Sequence, residues 1–437
     1  MPDINDANST AAGGPARPGN RPDPAAGEHR LLLLDAGTAA GLRDRAAHLI
    51  DLLGEPASGG LGGLAATARR ELADRPVRAG VVAASPDEAR ERLARLAAAL
   101  RGGDVATFDV NGGVFAGRAG GTPAIGFLFP GQGSDSGTYG DALTRRFESA
   151  GDLYRTVPIP AAGDPAALGS VQPRIVASSI AGVRALAELG IEGSVAAGHS
   201  LGELTALQWA GAMSESELFA LAAEHGRIMM DVCTGAGTMA VIGGPPAEAE
   251  PLLHGEPVVV AGYNNPAQTV VAGPRDAVGR VLKAAAAAGL RAAGLPVSDA
   301  FHSPAMAPAA EPLRAHLAGT RFRPLERRVL STVTGHVLPP ATDLRGLLVR
   351  QLCEPVRFSQ AVERMGDEVS LILEVGPGRL LSVHAAQTCP GVPVIPLATD
   401  GETLSGVLCA AAAAYVLGAP VRHDRLAAGS TPHEEGA

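Results

Sequence analysis

The 437-residue sequence predicts an α/β protein with a parallel sheet covered on both faces, an α+β insertion and a small N-terminal α/β unit. Three observations carry that expectation. Apolar runs of strand length alternate with amphipathic runs of helix length along most of the chain. At SVAAGHSLGELTALQWAGAM an apolar strand, a glycine-flanked turn and a helix follow one another without a gap. Between about 238 and 295 the rhythm shifts to shorter strands separated by two helices, the signature of an insertion.

Residues 1–28 are rich in Pro, Gly, Asn and Ala without apolar periodicity and are expected to be disordered. The α/β unit expected over 29–120 starts with LLLLDAG, a buried strand, and LRDRAAHLIDLLG, an amphipathic helix. RAGVVAAS follows as a strand, and PDEARERLARLAAALRGG as a helix with Pro86 near its start and Gly102 just past its end. A short strand pair around Val105–Phe115 closes the unit, and GRAGGTPA (117–124) reads as a linker. IGFLFPGQG then opens the main sheet, with a long helix over 173–190. TMAVIGG, PVVVAGYNN, QTVVAG and LRAAGLPV are the strands of the insertion, and RVLSTVTG and LILEVGPG resume the parallel pattern. The expected division is 121–237 with 304–420 as the large subdomain, 238–303 as the small one, and 421–437 as a disordered tail.

Composition excludes several classes. The net charge is −9 and no basic stripe with interleaved aromatics exists, so nucleic acid is not an expected partner. Cys233, Cys353, Cys389 and Cys409 are scattered without a CxxC pair, which fits free thiols in a reducing cytoplasm and no metal site. The N-terminus lacks a charged start followed by an apolar core, and the small Ala tract at 410–414 is too short to span a bilayer. A cytoplasmic protein without a membrane partner is expected.

Gly198-His199-Ser200-Leu201-Gly202 matches G-x-S-x-G between a strand and a helix with Glu203 in its first turn. The turn is so tight that side chains at the two glycine positions would clash. Ser200 lands at a helix N-terminus, where backbone N–H groups and the dipole favour developing negative charge. A serine hydroxyl needs a base. His199 adjoins Ser200 but points away in such a turn. His302, in Ser298-Asp299-Ala300-Phe301-His302-Ser303-Pro304, lies where the insertion returns to the main sheet and so lines an interdomain cleft. The residues alone leave His302 open between a base and a solvated loop histidine.

FPGQG (129–133), GHSLGE (198–203), GTMAVI (237–242), YNNPAQTVVAG (263–273), AFHSPAM (300–306) and EVGPGRLLS (374–382) occur in one order. In that order the sequence resembles the malonyl-transacylase-like acyltransferases of fatty acid and polyketide synthases, over about 123–400. Residues 30–121 resemble the linker that joins ketosynthase to acyltransferase in modular polyketide synthases. The resemblance implies an α/β-hydrolase-like large domain with a ferredoxin-like insertion. It implies Ser200 as nucleophile, His302 as base, and Gln132 with the Leu201 N–H as the oxyanion hole. The histidine is expected to be oriented by a backbone carbonyl in or beside Gly376-Pro377-Gly378, so no triad Asp is needed. Asn264 matches an asparagine near the family's active site. The implied reaction is ping-pong, from a coenzyme A or carrier-protein thioester to the phosphopantetheine thiol of an acyl carrier protein, serving a polyketide synthase, with no bound cofactor.

The pattern breaks in the acyl pocket. Malonyl-type members carry an arginine that pairs bidentately with the extender carboxylate. The position aligned with it here is His225, and Arg227 is two residues on. Three readings follow: an acyl group without a carboxylate, a carboxylate still held by His225 with help from Arg227, or an acyl-thioester hydrolase. Asp299 stands where malonyl-selective polyketide members often have a histidine, and an acid there would repel a carboxylate or attract an ammonium. Leu201 and Phe301 resemble the malonyl-selective pattern, so the specificity signals conflict.

Overall fold

The computed structural model describes residues 28–54, 59–103, 105–134, 140–157 and 168–426. The disorder expected of residues 1–27 and 427–437 lies outside the described residues. Residues 421–426, placed in the tail by sequence, instead pack on the main core. Val421 is buried, and the Arg422 N–H donates to the Leu189 carbonyl at 2.8 Å.

The first unit contains β1 (Arg30–Ala36), α1 (Ala39–Leu52), α2 (Gly60–Arg70), β2 (Val77–Ala83), α3 (Pro86–Ala99), β3 (Thr107–Asp109) and β4 (Val114–Arg118). Its sheet has the order β1-β2-β4-β3, with every neighbouring pair antiparallel. Side-chain caps set two of the helix starts. The Thr38 side chain accepts from Gly41 N–H, and that of Ser85 accepts from Glu88 N–H ahead of Pro86. The run Leu31–Leu34 is apolar throughout because both faces of β1 are covered. Leu32 and Leu34 face α1, α2 and α3, while Leu31 and Leu33 join the main core on the other side. Two residues assigned to the linker, Gly117 and Arg118, belong to β4, where they pair with Arg78 and Val77.

The chain continues through β5 (Ile125–Phe129), α4 (Asp141–Arg146), α5 (Glu148–Thr156), α6 (Leu168–Glu188), β6 (Val195–Gly198), α7 (Gly202–Trp209) and α8 (Glu215–Val232). The insertion supplies β7 (Gly237–Gly243), β8 (Val259–Asn265), β9 (Gln268–Pro274), α9 (Arg275–Ala287) and β10 (Arg291–Gly294). The return adds α10 (Ala310–Gly319), β11 (Arg328–Leu330), α11 (Leu344–Gln351), α12 (Phe358–Gly366), β12 (Leu371–Glu374), α13 (Leu380–Thr388), β13 (Val394–Pro396) and α14 (Ser405–Leu417). The large sheet runs β11-β6-β5-β12-β13, all parallel. The inserted sheet runs β10-β7-β9-β8, all antiparallel.

Helix α14 explains the alanine tract. Residues 407–416 are all buried, because the helix packs against β2 and β4 of the first sheet and β13 of the parallel one. Small side chains let the backbones approach closely. A Cβ added to Gly80 would sit 2.7 Å from that of Ala412. A helix apolar on all sides is a core element here, and no helix among the described residues is long and apolar enough to cross a membrane.

Backbone hydrogen bonds join the inserted sheet to the segment between α11 and α12 of the large subdomain. Tyr263 N–H donates to Val356 O at 2.8 Å, and Val356 N–H to Ala261 O at 2.9 Å. Neighbouring strands β6, β5 and β12 end side by side, and the loops beyond their carboxyl ends converge. Open α/β sheets bind ligands at that edge.

Candidate active site

Strand β6 ends at Gly198 and α7 begins at Gly202, leaving three residues to reverse the chain. Both glycines are obligatory. A Cβ on Gly198 would lie 2.0 Å from the Gly202 carbonyl carbon, and one on Gly202 would lie 2.0 Å from Phe129 O. Ser200 pays for the bend with φ of +52°, in the left-handed region a non-glycine residue seldom occupies. Two buried groups brace the turn. The Glu203 carboxyl accepts from Thr332 N–H at 3.0 Å, and the Thr332 hydroxyl donates to Gly198 O at 2.7 Å. Burial pushes the Glu203 carboxyl up to about 7.

The structure brings His302 to this serine across 102 residues of sequence, with Nε2 2.8 Å from Ser200 Oγ. His302 also has a left-handed backbone, φ +54°. The adjacent Ser303 hydroxyl donates to Ala300 O at 2.6 Å and accepts from Ala305 N–H at 3.2 Å, fixing the segment. His302 Nδ1 lies 3.0 Å from the backbone carbonyl of Gln351. This corrects the expectation of a carbonyl in or beside Gly376-Pro377-Gly378. That loop instead packs under Pro130, which a Cβ on Gly376 would strike at 2.4 Å. Gln351 is free to accept for a physical reason. It is the last residue of α11, where carbonyls lose their helical partners, and the following Cys353 and Glu354 N–H groups both turn back to Arg350 O. Its side chain does a second job, donating from Nε2 to Ser200 O at 2.7 Å. One glutamine thus holds both the serine's backbone and the imidazole. Burial holds His302 below the usual histidine value against the opposing pull of the Gln351 carbonyl, so the ring is neutral at neutral pH with Nδ1 protonated and Nε2 free to accept.

The loop after β5 lies against the turn. A Cβ on Gly131 would come within 2.4 Å of His199 O and 3.3 Å of the Ser200 Cβ, so the loop approaches only because that residue is glycine. Gln132 follows directly. Leu201 is the N-cap residue of α7, and N–H groups there lack helical acceptors. Gln132 Oε1 lies 3.4 Å from Gln172 Nε2, and Gln172 Oε1 lies 2.9 Å from His225 Nδ1. His225, on the buried face of α8, is therefore linked through one amide to the loop that lies against the serine's turn.

The remaining expected residues separate. Asn264 faces His199, with Oδ1 3.2 Å from Nε2, while its amide donates to Gln268. It supports the residue before the serine, whose ring also packs against Phe358. Phe301 is half-buried between the main core and the inserted sheet. Arg227 does not reach the site, which corrects its expected part in substrate binding. It projects from the exposed side of α8 and pairs with Glu224 and Asp231, two residues being a half-turn away from His225. Asp299 is likewise no free acid beside an acyl chain. One oxygen accepts from Thr234 and Gly235 N–H at 2.9 and 3.0 Å, and the other from Ser298 Oγ at 3.0 Å. Burial raises its pKa, but these donors outweigh it and hold the carboxyl low. Asp299 thus staples the end of α8 to the His302 segment. Sequence reasoning missed Gln351 and Gln172, both buried polar residues on helices.

A serine hydroxyl on a strained strand–helix turn with an imidazole in contact with it defines a nucleophilic acyl-transfer site on an α/β scaffold. The family profile of the acyl transferase domain matches residues 160–401, and the chain belongs to that family. It is 34% identical over 279 residues to the malonyl CoA-acyl carrier protein transacylase of Bacillus subtilis (strain 168), covering 59% of this chain and 88% of that protein. It is 36% identical over 291 residues to polyketide synthase GfsB of Streptomyces halstedii, covering 62% of this chain and only 5% of that much longer protein. Among solved structures, the acyltransferase domain of an iterative polyketide synthase in enediyne biosynthesis superimposes with a TM-score of 0.76 at 34% identity, covering 90% of this chain and 97% of that one. A malonyl-transacylase in complex with a type II polyketide synthase acyl-carrier protein gives 0.58 at 31% identity, covering 65% and 98%.

Proposed function

We propose that this acyltransferase moves an acyl group from a coenzyme A or carrier-protein thioester, through an ester on Ser200, to the phosphopantetheine thiol of an acyl carrier protein in polyketide biosynthesis. The observation that carries the reading is the 2.8 Å contact between Ser200 Oγ and His302 Nε2, with Nδ1 held by the Gln351 carbonyl. As the Ser200 oxygen bonds to the thioester carbon, its proton passes to His302 Nε2. Gln132 and the Leu201 N–H face the oxyanion. When the C–S bond breaks, the departing thiolate takes the proton from His302. The incoming carrier thiol gives its proton to the same nitrogen, attacks the ester, and leaves with the acyl group as Ser200 recovers its hydrogen. The carrier partner is inferred from the relatives' own substrates and the shared fold.

The acyl group on this reading lacks a free carboxylate. His225 is neutral, its pKa pushed down to about 4 by burial and then by the nearby His302, and Arg227 faces outward. A neutral imidazole cannot replace a guanidinium fork. The test is incubation of the enzyme with a panel of acyl-CoA donors, with and without holo carrier protein, followed by mass measurement of the carrier and assay of free acid. Acyl carrier forming faster than free acid is the expected result. Free acid released at one rate whether or not carrier is present would overturn transfer in favour of hydrolysis.

A further inference from the structure

His225 Nε2 is a buried nitrogen with no hydrogen-bond partner among the described residues, in a side chain only 6% exposed. A buried polar atom left unmatched costs free energy, and native structures seldom leave one without a use. The network around it settles what this atom can do. Gln172 turns its amide nitrogen towards two acceptors, Gln132 Oε1 at 3.4 Å and Met229 Sδ at 3.6 Å. Its oxygen therefore faces His225 Nδ1, at 2.9 Å. That oxygen can only accept, so Nδ1 carries the ring hydrogen and Nε2 presents a lone pair. His225 lies at the edge of the site. Through Gln172 it reaches Gln132, which follows the glycine whose added Cβ would lie 3.3 Å from the Ser200 Cβ, and a charge on His302 would oppose one on His225.

We propose that the acyl group accepted by Ser200 carries a hydroxyl that donates its hydrogen to Nε2 of His225. This rests on the acyl-transfer reading above and adds the chemistry of the acyl chain. The three alternatives for that chain differ in what they ask of the nitrogen. A carboxylate would bring its own lone pairs against this one. A plain alkyl chain would leave it unmatched. An ammonium could donate, but it would need a carboxylate to offset its burial, and Asp299 already has its oxygens occupied. A neutral hydroxyl satisfies the nitrogen at least cost. Sites built to bond a substrate hydroxyl discriminate strongly against the analogue lacking it.

The experiment follows acyl-enzyme formation by intact mass after rapid quenching, with 2-, 3- and 4-hydroxybutyryl-CoA, butyryl-CoA, 3-aminobutyryl-CoA and malonyl-CoA as donors. One hydroxybutyryl isomer should acylate roughly tenfold or more faster than butyryl, malonyl or aminobutyryl, the scale of one hydrogen bond to a buried acceptor. In His225→Leu the hydroxyl-to-butyryl ratio should fall towards one. The wild-type ratio needs no variant and decides the matter even if His225→Leu fails to fold. Separately, the ring ¹⁵N shifts of His225 should report a neutral Nδ1–H tautomer. Butyryl, malonyl or aminobutyryl reacting as fast as the best hydroxyacyl donor, an unchanged ratio in a folded His225→Leu, or a protonated Nε2 would each overturn the proposal while leaving acyl transfer intact. An absence of acyl-enzyme with every donor, including carrier-bound ones, would remove both.

Discussion

Two histidines in this molecule are held alike and left in opposite states. His302 and His225 each place Nδ1 against a glutamine oxygen, at 3.0 Å from the Gln351 main chain and 2.9 Å from the Gln172 side chain. Each is neutral because burial lowers its pKa, so each offers Nε2 as an acceptor. His302 meets Ser200 with that nitrogen, and that of His225 has no hydrogen-bond partner among the described residues. The first pair rests on main-chain geometry: a helix that ends at Gln351, a turn that only glycines permit, and two left-handed residues. The second rests on side chains from α6 and α8, which substitution can change without disturbing the turn. On the reading proposed above, one arrangement fixes the chemistry and the other is free to set the acyl group.

The largest effect should come from breaking the first arrangement. His302→Ala should lower the acylation rate at least about a thousandfold, since the hydroxyl loses its base. Stopped-flow release of coenzyme A measures it. Gln351→Ala leaves the main-chain carbonyl but strips the donor from Ser200 O. A loss of about 1–3 kcal/mol is expected, read as a lower melting temperature together with a ten- to hundredfold slower acylation. The pH profile sharpens the same point. The base proposed for Ser200, His302, can accept a proton only when neutral, and burial lowers its pKa. The rate should therefore be flat down to about pH 6.5, then drop about tenfold per unit once pH passes below the lowered value.

Changes to the second arrangement should alter preference more than rate. His225→Arg should improve malonyl-CoA use about tenfold, as a charge-assisted pair forms in place of a neutral ring. Competition between malonyl-CoA and a neutral donor measures it. Arg227→Ala should change either activity less than about twofold. The exposed Arg227 pairs with half-buried Glu224 and exposed Asp231, ion pairs of the kind worth about 0–1 kcal/mol.

The same division marks what the sequence made legible. The elbow at 198–202 could be read from residues alone, because a strand, a tight glycine turn and a helix are each local patterns. His302 could be placed in the cleft but not assigned to the serine without the family resemblance, since a contact across 102 positions leaves no periodic trace. Gln351 was missed although its signal was there. Pro355, soon after an apolar helix, marks a helix end, and helix ends free carbonyls. Gln172 had no such signal, being one polar residue within a helix. Arg227 was misplaced because two residues of helix separate an inward from an outward side chain, and only packing fixes that phase. The antiparallel first sheet and its cover by α14, about 300 residues later, likewise depend on contacts that composition does not encode.

The most direct test is to digest the acyl-enzyme after a single turnover and locate the acyl group by tandem mass spectrometry. The account predicts one acyl ester, on the peptide holding Ser200, absent in Ser200→Ala and far slower to form in His302→Ala. An acyl group on another residue, or an adduct that survives Ser200→Ala, would contradict it.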